Sequence, residues 1–209
     1  MSTALLAVLL IVNTVISIFD AYVAGRIWKE STGFMKLVAW AALGMSACGF
    51  LMVSAFLIAG GSSAVGLISE YQFEIVLKLA YVLIIIPLLG FGTIITIQSW
   101  IDTVKTRSFT SGAVAVWNTA AMVSNTVDAV EHSGGLLKEI FDYFKEDGDK
   151  DSDDDSLFSK GRVVIILVVA AAISVGLTYL FWSKGRLRAV SIEIDEARDR
   201  AAKALSHSA

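Results

Sequence analysis

An all-α, polytopic transmembrane helix bundle is the expected architecture of this 209-residue chain. Composition is the first reason: 56% of residues are hydrophobic and 18% are charged, against about 45–50% and about 25% in soluble domains. The second is where the excess lies. Four nearly uncharged runs occupy residues 4–24, 37–59, 79–100 and 163–182, each close to the roughly 20 residues that cross a hydrocarbon core as a helix. The third is the absence of alternation. Barrel strands alternate apolar and polar residues, and these runs do not. A helix satisfies its own backbone in lipid without needing closure. The expected organisation is spans 1 to 3 in residues 1–107, an amphipathic helix in 108–140 and an acidic loop in 141–161. The last span in 162–183 and a soluble amphipathic helix in 184–209 complete it.

Span 1 lacks the positively charged start of a signal peptide, so it is expected to be a retained span. It carries Asn13 at mid-depth and Asp20 near the end that leads to Arg26, Trp28, Lys29 and Lys36. Polar and ionisable residues inside a span are costly and mark functional candidates. Asn13 is placed to reach an Asn on another helix. Span 2 is rich in small residues, with Ala42–Ser46 and Gly44–Cys48 at the four-residue spacing that lets helices approach closely. Cys48 is the single cysteine, so it forms no intrachain disulfide. Span 3 opens with Glu74 and Lys78 at i,i+4 and contains Pro87, where a kink is expected. The last span repeats a small pair, Ala172 and Gly176, before Lys184, Arg186 and Arg188. Beyond it Leu187, Val190, Ile194 and Ala197 recur at helical spacing, as on a helix that docks on a partner or on another copy.

Residues 111–130 are the ambiguous element. On a helical projection Ser111, Asn118, Thr119, Asn125 and Thr126 share one face, and Val116, Val123, Val127 and Val130 lie opposite. Ser111 to Val127 carries no charge. A helix lying on the membrane normally has Lys and Arg on its polar face. A spanning or re-entrant helix turns such a face toward water or a neighbouring helix. Full crossing, a re-entrant or surface placement, and a soluble element all stay open. The positive-inside rule separates them. With Arg26, Lys29 and Lys36 inside, Lys105 and Arg107 are inside too. The Lys184–Arg188 cluster returns inside only if this stretch also crosses, which puts the C-terminus in the cytoplasm.

The acidic segment places Asp147, Asp149, Asp151, Asp153 and Asp155 at alternate positions, as in the calcium loop of an EF-hand. Ser152 stands where that loop has Gly, and Phe158 where it has a bidentate Glu. The segment is a candidate for a weak Ca²⁺ site, or a solvated, self-repelling linker.

Other chemistry is not supported. The two histidines, His132 and His207, lie outside the clear spans, so paired haem ligands in the bundle are not expected. Zinc spacings, phosphate loops and nucleophile elbows are missing. A net charge of −3 argues against nucleic acid as a partner. The expectation is therefore a non-enzymatic, multi-pass integral protein of a cellular membrane or an enveloped particle, without a cofactor. Its partners would be the lipid bilayer and other membrane subunits or copies of itself, in a structural or anchoring role. The alternative is an oligomeric ion channel lined by the polar face of residues 111–126.

Overall fold

The computed structural model describes residues 3–29, 31–145 and 153–207. Among them lie five helices: α1 (Thr3–Ile27), α2 (Phe34–Ala64), α3 (Glu70–Thr106), α4 (Phe109–Lys145) and α5 (Asp153–His207). No strand occurs among the described residues. Four helices are long and apolar enough to cross a membrane: Leu5–Ile27, Phe34–Ala64, Glu70–Thr106 and Lys160–Arg198. Their outward residues agree with a lipid setting. Ile11, Phe19, Ile86, Ile165 and Val175 are each more than 60% exposed, a pattern that water would penalise.

Local sequence sets the ends. Ser69 accepts from the Gln72 amide while the Gln72 side chain accepts from the Ser69 amide, a capping box that starts α3. Arg107 adopts a left-handed conformation, with its amide bonded to Thr103 O, and stops it. Only Arg107 and Ser108 separate α3 from α4, so the two form an antiparallel hairpin. Pro87 lies inside α3, which stays helical on both sides of it.

α2 is the central helix and packs on α1, α3 and α5. This explains its composition. Ala39, Ala41, Ala42, Ser46, Cys48, Ala55 and Ala59 are all buried, because neighbours approach it from three directions. A Cβ on Gly44 would collide with the Phe91 ring of α3. The apolar core joins Ala55 and Ala59 of α2, Ile75, Val76 and Ala80 of α3, and Val163, Ile166 and Ala170 of α5.

The four-residue spacing of Ala172 and Gly176 left their partner open, on the same chain or on another copy. Within the chain they do not pack: both are exposed, and a Cβ on Gly176 would meet nothing within 4 Å. α5 instead turns Ala170, Ser174 and Thr178 inward. Ser174 Oγ donates to Ala47 O at 2.6 Å, and the Ser46 and Thr178 hydroxyls pair at 3.3 Å. Two expectations need correction. First, residues 184–207 are no separate helix but the continuation of the last span. Second, both ends of the 141–161 segment expected as a loop are helical, since α4 reaches Lys145 and α5 begins at Asp153. Asp153 and Asp155 fall in the first turn of α5, while Asp147, Asp149 and Asp151 lie outside the described residues.

Candidate functional site: a polar cavity between three helices

α4 runs antiparallel to α3 along nearly its whole length. Thr106 pairs with Ser111 at one end, and Tyr71 meets Tyr143 at the other. The polar stripe of α4 faces α3. Asn118 Nδ2 donates to Ser99 Oγ at 2.6 Å, Trp100 Nε1 donates to Thr119 Oγ1 at 3.0 Å, and Thr106 and Ser111 share a hydroxyl bond at 2.7 Å. Farther along, Asn125 is half-buried, and Thr126 turns its hydroxyl back onto Met122 O of its own helix. Lys78 pairs with Glu139 and Glu74, and Tyr81 donates to Asp128. The apolar stripe points outward. Val116, Trp117, Val123 and Val130 are each more than half exposed.

At the α3–α4 turn the interface opens into a cavity of about 630 Å³ shared with α1. Asp20 of α1 lies on one wall, and Gln98, Ser99 and Asp102 of α3 on another. Ser111 and Asn118 of α4 complete it. Gln98 Nε2 donates to Asp102 Oδ1 at 2.8 Å and so orients that carboxylate. Asp20 has no ion pair among the described residues. Two carboxylates, two amides and several hydroxyls in an open cleft suit a cation or a polar solute. Among the described residues no three His, Cys, Asp or Glu side chains are grouped to hold a metal ion.

No protein family, curated protein or solved structure matches the chain. The site must therefore be understood from its own residues. Of those singled out in the sequence, Asp20, Ser111 and Asn118 come together here. Thr119 sits beside them on the α3 contact, while Asn125 and Thr126 lie about two turns farther along α4. Asn13 is elsewhere. Its Nδ2 donates to Gly49 O of α2 at 3.3 Å, so it does not meet the Asn face of α4. The reason is local: Gly49 has no side chain, and Ser17 and Asn13 fill the space where its Cβ would be. Sequence reasoning missed Gln98, Ser99 and Asp102. Their spacing was the available signal, because residues 98, 99 and 102 share a helical face at the polar end of a span.

Proposed function

We propose that this protein is a non-catalytic integral membrane subunit that docks through α5 onto another copy or a partner subunit. One observation carries the reading. Ala172, Gly176, Leu187, Val190 and Ile194 fall on one side of the uninterrupted α5, opposite the Ser174, Thr178 and Gly185 side that packs on α2 and α1. Leu187 is 70% exposed and Ile194 61% exposed. The face thus offers a small-residue seam at membrane depth, suited to close helix contact. It continues as an apolar stripe beyond the basic cluster, where water makes exposure costly.

The same proposal takes α4 as a fifth crossing. A helix paired along the length of a spanning helix, polar side in and apolar side out, is arranged for lipid. Lys105, Arg107 and the Lys184–Arg188 cluster then share the cytoplasmic side with the C-terminal end of α5.

The test is oligomeric state in native-like nanodiscs, with and without paired substitutions Leu187→Asp and Ile194→Asp. The reading expects a multimer or complex that the pair dissociates. A wild-type protein that is monomeric and partner-free would overturn it. A channel is the second reading, favoured by the carboxylate-lined cavity at the α3–α4 turn. Beyond that cavity Thr119 and Met122 of the stripe contact α3, which favours the structural reading. Conductance of the reconstituted protein, lowered by Asp20→Asn, would reverse that preference.

A further inference from the structure

A second cleft has the opposite character. It lies between α2, α3 and α5 near the basic end of the bundle and has a volume of about 540 Å³. Leu43, Ala47 and Phe91 form its floor, and Trp40, Val175 and Tyr179 its sides. The last three are each more than half exposed, so the cleft opens sideways toward hydrocarbon. At one end Trp28, Trp40 and Trp182 pack edge to face, with ring centres 5.0 and 5.6 Å apart. Such an indole cluster suits the boundary between acyl chains and headgroups.

Cations already cover these rings. Lys36 Nζ stands 4.1 Å from the Trp28 ring centre, and Arg186 Cζ stands 5.0 Å from that of Trp182. Lys184 lies over Phe181 close by. Neither Lys36 nor Arg186 has a carboxylate partner among the described residues. A quaternary ammonium, which binds aromatic faces, would meet two positive charges here. An anionic headgroup would be attracted by them.

We infer that this cleft binds an anionic phospholipid of the surrounding leaflet, with an acyl chain along Leu43, Phe91 and Val175 and the phosphate between Lys36 and Arg186. The inference rests on the apolar spans and the cleft, and does not depend on the docking role of α5. Charge selects the lipid, and the cleft gives one chain a fixed place.

Tryptophan quenching tests it on the full chain. Trp100→Phe and Trp117→Phe leave Trp28, Trp40 and Trp182 as the fluorophores. The protein is reconstituted in phosphatidylcholine vesicles containing a minor fraction of phospholipid brominated on its acyl chains. Brominated phosphatidylglycerol is expected to quench with an apparent affinity roughly five- to thirtyfold above brominated phosphatidylcholine, the range for one to two surface cations. Lys36→Gln with Arg186→Gln should abolish that preference without changing the helix content. A third variant, Ala47→Phe, should reduce quenching by both lipids by filling the cleft. Equal quenching by the two lipids, or a preference that survives the double Gln variant, would mean ordinary boundary lipid and overturn the inference. Absence of quenching by either lipid would mean that protein covers the cleft, and would overturn it too.

Discussion

Gly25 of α1 and Gly185 of α5 face each other's helix backbone. A Cβ on Gly25 would run into Trp182 O, and one on Gly185 into Tyr22 O. The relation is reciprocal, so two parallel helices touch main chain to main chain at the basic end of the bundle. The contact also sets the azimuth of α5. Gly185, Ala189 and Ile192 turn toward α1, and Lys29 pairs with Glu193 one step farther out. Leu187, Val190 and Ile194 are left on the free side.

Alanine at either glycine should therefore be destabilising by about 1–3 kcal/mol, the usual cost of overpacking. The obstacle is backbone, which cannot swing aside as a side chain can. Unfolding in mild detergent would measure the effect. Gly176→Ala is the control, since its added Cβ meets open space within the chain, and it should leave monomer stability nearly unchanged.

Asn118 and Ser99 should be energetically coupled. Their 2.6 Å bond spans α3 and α4, and such contacts in membrane bundles average about 0.6 kcal/mol in double-mutant cycles. Asn118→Ala with Ser99→Ala should show coupling of that order. Asn118→Ala with Asn13→Ala should be additive within about 0.5 kcal/mol, because Asn13 bonds Gly49 on α2 instead.

The two faces of α4 should differ in access to water. In a Cys48→Ala background, Ser111→Cys at the cavity mouth should react with a small charged thiol reagent. Val116→Cys, 59% exposed on the outward face, should resist that reagent if the face contacts lipid. Equal reactivity at both positions would show that the outward face is wet.

The Lys78–Glu139 and Tyr81–Asp128 contacts tie α4 to α3 at the acidic end. Lys78 also pairs with Glu74 at 3.5 Å. Because these carboxylates are largely exposed, Glu139→Gln should cost no more than about 1 kcal/mol. The loss should shrink further with added salt, as a titration of melting temperature against ionic strength would show.

Much of this fold was legible in the chain because lipid imposes a strong rule on composition. The four apolar runs became four long helices, and the small residues of span 2 mark the helix that packs most extensively on the others. The same signal at Ala172 and Gly176 meets no partner within the chain. Spacing alone says that a helix can be approached closely, not whether the partner belongs to the same chain. Asn13 was misassigned for a related reason: its partner is a backbone carbonyl, and Gly49 offers one to any donor of suitable reach. Asp20 was visible as a carboxylate in an apolar run, and Ser111 and Asn118 as polar residues on one face of an uncharged stretch. Their meeting with Asp102 depended on how the α3–α4 hairpin lies against α1, which no local pattern encodes.

Whether α4 crosses the membrane is decided most directly by sidedness. Single cysteines in place of Lys105, Lys145 and Arg198, in the Cys48→Ala background, would be probed with a membrane-impermeant thiol reagent in vesicles of known orientation. If α4 crosses, as proposed, positions 105 and 198 share one side and position 145 lies on the other. Positions 105 and 145 on one side, with 198 opposite, would contradict the crossing.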